Sequence, residues 1–579
     1  MKPKRLLRSL RDTGRHTVHK RRYRLADSVP IVGVTVVSLI LLVLLRGESL
    51  VSSSLYDPNE ATLLAWGKEA TKDLLPYKTY TATGVLYLWP LFLGILGKLA
   101  VPLSLITAHI LSGLAYTYLA VVGWYFFYRQ HGWKWATAII APPTFLLFAA
   151  SGYPDLLSLS PELLPIALLT TALLILFRTS RNVTSADLAI ASIMSGASIW
   201  ADFQVIPLAI AFVVSGVIVR RLELRIHNDR LTDGRQRRSP LKHDAVIAML
   251  GFLLPTILSV IIIASTGGLR AFMNDTWPFL LGNVGGVASV GTSTFGSHAQ
   301  SVGGLILGLP FAAMWALGGL LGWSWTRTSR YEQRALLEVA AWVLPVASAV
   351  IASFAIGTLA WHDANILYVG AMISGVIGCR ISRIPRAKRH EAGRGEIVFR
   401  ALVALAAFLV LLDVSDTCWS NVIFLRSYVA TIVTKSTIPP VNYYYFGPDT
   451  MSTLCPANSQ VLVWGWAPEL YIYYGWEPTS RYVTTDLQIY DYGYTKYYRG
   501  TLLAELKTHP PMCIVEAVGA SLDGGFPRSL TLASRVPRSR GFLRECYVER
   551  TAELGSVAGG PEFFQPVTVY VKRNSCRTD

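Results

Sequence analysis

Residues 56–61 read Tyr56-Asp57-Pro58-Asn59-Glu60-Ala61, and two carboxylates three positions apart suit either of two jobs. If a helix starts at Pro58, Asp57 is its N-cap and Glu60 stands at its third position, a pattern that satisfies the free N–H groups of a first turn. Beside a binding groove the same pair can do acid–base chemistry, because an attacking alcohol must lose its proton and a fixed carboxylate can take it. The two roles are compatible.

Other polar residues stand where apolar runs end: Asp155 and Glu162, Asp202 with Gln204, and His362 with Asp363. Ionisable groups at that depth are functional candidates, and caps or interface anchors are the structural alternative. A phosphate leaving group asks for cations, and the segments that could face it offer Lys68, Lys72, Lys78, Arg270 and Arg481. Lys72 and Lys78 suit solvated positions equally well. No His/Cys spacing suits zinc, so no metal site is assigned, although a divalent cation between Asp57 or Glu60 and a phosphate is compatible with the residue types.

The elements that must hold these groups are membrane helices. The chain is 579 residues, 52% hydrophobic and only 15% charged, outside the usual range of soluble domains. Apolar runs occur at 29–45, 86–101, 103–127, 135–150, 163–177, 188–201, 203–219, 245–265, 302–325, 336–357, 364–379 and 397–412. A bilayer core about 30 Å thick takes roughly 17–25 residues per helix. If every run crossed, the basic loops would not all fall on one side. Residues 86–101, with Pro90, Gly94, Gly97 and Lys98, are therefore read as an interfacial helix, which leaves about eleven transmembrane helices.

All the basic loops then lie inside, with the basic tail 1–28. The net charge of +17 thus expresses topology rather than nucleic-acid binding. The tail and loop 220–242 suit anionic membrane lipids. The first apolar run lacks a small-residue cleavage site and reads as a retained helix. The transmembrane module spans 29–414, with a first outer loop at 46–84. No phosphate-binding glycine loop is visible, so no ATP-driven engine is expected.

From 415 to 579 the composition turns to aromatics, Pro, Gly and alternating runs such as 460–464, 513–517 and 567–571, predicting an extracytoplasmic α/β or β-rich domain. It carries Cys418, Cys455, Cys513, Cys546 and Cys576, so one or two disulfides are expected, with the pairing open.

Taken in order, a first helix, an outer loop with Asp57 and Glu60, Pro76-Tyr77, Thr83-Gly84-Val85-Leu86-Tyr87 and an interfacial helix resemble the GT-C superfamily of polytopic membrane glycosyltransferases. Its bacterial members include polyprenyl-phosphate-sugar-dependent arabinosyl, mannosyl and aminoarabinose transferases. The run from Val461 to Tyr471, closing with Thr479-Ser480-Arg481-Tyr482, resembles the start of their outer domain. The resemblance implies an inverting transfer of a sugar from a polyprenyl-phosphate donor to a lipid, glycan or protein acceptor at the outer face of a bacterial cytoplasmic membrane, in cell-envelope biogenesis. It further implies Asp57 as the base with Glu60 second, and His362 as a contact to the donor phosphate. Pro76-Tyr77 is followed here by Lys78-Thr79-Tyr80, where some relatives carry Tyr-Arg-Asp. A transporter or lipid flippase would more often show repeated halves, which are not visible. A non-catalytic envelope protein of the same fold is compatible with the same residues.

Overall fold

The computed structural model describes residues 31–52, 55–77, 80–82, 86–131, 154–178, 184–228, 241–277, 419–427, 450–489, 494–518, 527–555 and 564–574, with isolated positions beside them. Among the described residues, four helices are long and apolar enough to cross a membrane: Ile31–Val51, Leu105–Tyr125, Phe203–Arg221 and Lys242–Ser265. The apolar runs at 135–150, 302–325 and 397–412 lie outside the described residues. Those at 336–357 and 364–379 do so except for isolated positions.

In chain order, α1 is Ile31–Val51, α2 Pro58–Lys72, α3 Leu88–Lys98, α4 Leu105–His131, α5 Leu163–Arg178, α6 Ser185–Ala201, α7 Ile206–Asn228 and α8 Leu241–Ser265. At 1.5 Å per residue the 11 residues of α3 extend about 16 Å, half a bilayer core. They lie instead along α2. Gly67 meets Leu93, Ala70 meets Gly94 and Thr71 meets Gly97, so the contacts advance together and the two helices run in the same general direction. A Cβ at Gly97 would stand 2.1 Å from Thr71 Oγ1, so only glycine permits this approach. A similar contact joins α6 to α8, where a Cβ at Gly196 would come 2.1 Å from the Phe252 carbonyl oxygen. Small residues at such crossings are how helices pack in lipid, where no hydrophobic force draws them together.

The C-terminal part of the fold carries a five-stranded mixed sheet of β1 Gln460–Trp464, β2 Glu477–Pro478, β3 Cys513–Glu516, β4 Tyr547–Gly555 and β5 Phe564–Lys572, in the order β2-β1-β3-β5-β4. β1 pairs parallel with β2 and β3, while β5 pairs antiparallel with β3 and β4. The crossover from β1 towards β3 includes α9, Thr495–Thr508. β1 is buried on both faces. Leu462 and Trp464 pack with Leu502 and Leu506 of α9. Val461 and Val463 belong to the same apolar cluster as Leu42 and Leu45 of α1 and Ala61 and Leu64 of α2. One face of the sheet is thus seated on the helical part through the segment Glu469–Tyr473. Two disulfides, Cys455–Cys513 and Cys546–Cys576, tie the sheet to its flanking segments. Cys418 lies outside the described residues.

Candidate functional site

The expected cap at the start of α2 is present, with a difference. Asp57 precedes Pro58, its backbone is extended, and its Oδ1 accepts from Asn59 N at 2.8 Å. Glu60 does not turn back to complete a capping box. It points inward and is fully buried, with Oε2 accepting from Leu159 N at 3.2 Å and Oε1 lying 2.9 Å from His109 Nε2 on α4. Position within the turn explains the difference, because Glu60 is drawn into the bundle by an imidazole that sequence spacing does not reveal.

His109 Nδ1 stands 3.1 Å from the Ser52 carbonyl oxygen. That oxygen can only accept, so Nδ1 carries the hydrogen and Nε2 faces the Glu60 carboxyl. Burial pushes the Glu60 carboxyl above its ordinary value, His109 opposes the rise and the nearby Asp57 charge adds to it. The Tyr56 ring covers the imidazole, with centroids 4.7 Å apart.

The segment that holds Glu60 also binds a buried cation, Arg46, in the last turns of α1. Its guanidinium is buried, lies 4.5 Å from the Tyr116 ring centroid, and donates to Ser112 Oγ at 3.1 Å and to the Leu156 carbonyl. Sequence reasoning missed it, because an arginine ending an apolar run looks like an ordinary flank. The segment that supplies Leu156 O also supplies Leu159 N, so residues 154–160 bind both the cation and the acid. Asp155 belongs to the short helix Pro154–Leu157. Glu162 is buried in the turn before α5, a turn joined to α3 by Trp89 Nε1 donating to the Pro161 carbonyl at 2.6 Å.

The remaining candidates sit elsewhere. Asp202 ends α6 and caps the turn Phe203–Val205, accepting from Gln204 N at 2.9 Å, so its alternative as a cap is realised. Lys72 bridges Glu69 at 2.9 Å and Glu477 at 3.2 Å, linking the end of α2 to β2, and its amine is already paired. Arg481 is likewise paired, to Glu505 and Asp275. Tyr77 is buried with φ of 61°, a conformation costly for a side chain with a Cβ. Its ring meets Phe272 edge-on at 5.1 Å. Lys78 and His362 lie outside the described residues.

The structure therefore brings Asp57 and Glu60 together with His109, binds Arg46 to the segment that holds Glu60, and places Arg481 beside a second acid, Asp275, which the sequence did not single out. An ionisable residue just beyond a long apolar run was the available signal.

Among the described residues no three His, Cys, Asp or Glu side chains are grouped to hold a metal ion. No protein-family model matches the chain, and no curated protein matches it.

Proposed function

We propose that the protein is a membrane glycosyltransferase that moves a sugar from a polyprenyl-phosphate donor to a lipid, glycan or protein acceptor on the outer face of a bacterial cytoplasmic membrane. In this reading about eleven helices cross the membrane, the N-terminus is cytoplasmic and the C-terminal domain extracytoplasmic. The observation that carries it is the buried pair Asp57 and Glu60 at the start of α2, with His109 against Glu60 and Arg46 bound to the segment that also binds Glu60. Two disulfides in the sheet region support an oxidising compartment for that domain.

The chemistry is a single displacement. The acceptor oxygen forms the new bond to the anomeric carbon while the carbon–oxygen bond to phosphate breaks on the opposite side, inverting the centre. Asp57 takes the acceptor's proton and the phosphate leaves with the bonding pair. Glu60 is held by His109 and Leu159 N, which suits it to shaping the site's charge. In this reading Arg46, held by Tyr116, Ser112 and the Leu156 carbonyl, supplies positive charge to the site.

Asp57→Asn tests the reading, because Asn caps a helix about as well as Asp while losing the proton-accepting charge. Transfer of labelled sugar from a panel of polyprenyl-phosphate donors should fall by about 10²-fold or more, with donor binding and unfolding temperature kept. Asp57→Ala should in addition cost about 1 kcal/mol of stability. Undiminished transfer by the folded Asn variant removes Asp57 as the base. No transfer or donor binding by the unsubstituted protein favours a transporter or a non-catalytic role.

A further inference from the structure

Asp275 belongs to neither the carboxylate pair nor the sheet, yet three distant parts of the chain meet on it. It lies in the π-helical turn Phe272–Thr276 that follows α8, a local geometry common where a helix serves a function. Its side chain is fully buried. One carboxylate oxygen accepts from the Tyr482 hydroxyl at 3.0 Å. The other accepts from Thr81 Oγ1 at 3.3 Å and lies 3.6 Å from Arg481 Nη1. The Asp275 carbonyl accepts from the Tyr498 hydroxyl of α9 at 2.9 Å. Two further bonds run alongside: Thr276 Oγ1 donates to the Ala82 carbonyl at 3.1 Å, and Thr81 N donates to the Arg481 carbonyl at 3.0 Å.

Each segment brings something the others lack. The outer loop gives a hydroxyl and a backbone pair, the C-terminal domain gives the phenols of Tyr482, Tyr497 and Tyr498 and a guanidinium, and the end of α8 gives the acid. A carboxylate removed from water is tolerated only when such donors are all in place. Taking the C-terminal domain away would leave it with Thr81 alone among these side-chain donors. The arrangement therefore favours all three segments seated together over any two.

We propose that Asp275 is the joint that fixes the C-terminal domain on the first outer loop and on the end of α8, and so positions the loop that leads from α2 to α3. The joint itself does not depend on the transferase reading; only its effect on turnover does.

Hydrogen exchange of the full-length protein in detergent or nanodiscs tests it. In Asp275→Asn, amides of Tyr80, Thr81 and Ala82 and of residues 480–483 should exchange about tenfold faster or more, with β1 and β3 unchanged. Tyr482→Phe and Thr81→Val each remove one bond to the carboxylate with little change of shape. They should loosen the same two segments by smaller factors, and they decide the matter if Asp275→Asn does not fold. Unchanged exchange in both segments overturns the joint. In a transferase the same variants lower kcat while donor Kd stays within about twofold. Absence of transfer by the unsubstituted protein counts against the transferase reading alone, because the exchange rates still decide the joint.

Discussion

Asp57 and Glu60 differ in how far their partners lie along the chain, and that difference governs what could be read in advance. The bond from Asn59 N to Asp57 closes within three residues, so the types Asp, Pro and Asn announce it. Asp202 was legible as a cap for the same reason. Glu60 is satisfied by His109 and Leu159, and no local pattern links those positions. Asp275 and Arg46 were illegible in the same way, since each gains its role from segments remote in sequence.

Glu516 on β3 shows a further residue-scale effect. Its buried carboxylate accepts from Leu532 N at 2.8 Å, and burial together with the Glu549 charge pushes its pKa up to about 7, the backbone bond opposing the rise. The folded chain then binds more protons than the unfolded chain between pH about 4.5 and about 7. Stability from this group is fully present below that window and is lost as pH rises through it, by on the order of 3 kcal/mol. Glu516→Gln keeps an acceptor for Leu532 N and removes the titration. Unfolding temperatures measured at pH 5 and pH 8 should differ less in the variant than in the unsubstituted protein, and an equal difference would refute the assignment.

At the scale of elements, the crossing of α2 and α3 is the tightest packing near the candidate site. Gly97→Ala would drive a methyl group against Thr71 Oγ1, which is itself bonded to the Gly67 carbonyl at 2.9 Å. Separating the helices should cost about 1–3 kcal/mol, seen as a lower unfolding temperature, whereas an unchanged temperature would mean that the crossing relaxes freely. Elements were read well where burial fixes the pattern. β1 coincides with the run 460–464, while 513–517 and 567–571 largely match β3 and β5. β4 was missed because Tyr547–Gly555 carries Glu549, Arg550 and Glu553 along an edge strand, where charge is permitted on the side facing water. α6 begins before its apolar run because Thr184 and Asp187 form a capping box, and hydropathy does not count a polar first turn.

For the molecule as a whole, composition divides the chain near residue 415, but apolar packing runs without interruption from Leu42 of α1 to Val463 of β1. Composition reports neighbours along the chain, and the core reports neighbours in space, so the sheet's seat on the helices left no trace in the sequence. The sidedness proposed for the molecule is directly measurable. A membrane-impermeant thiol reagent applied to intact cells should label Tyr494→Cys, on an exposed position ahead of α9, and should not label a cysteine replacing His16 in the basic tail. Labelling of the tail alone would invert the proposed orientation.

The strand order also sets a schedule for biosynthesis. β5 follows β4 along the chain yet lies between β3 and β4, so every pairing of the sheet's antiparallel half waits for residues beyond 563 to be delivered. Helices α1 to α8 precede it in the chain by about 300 residues or more. Completion of the sheet is therefore a late event laid over helices already made, and a chain halted before β5 would lack the strand that joins β3 to β4.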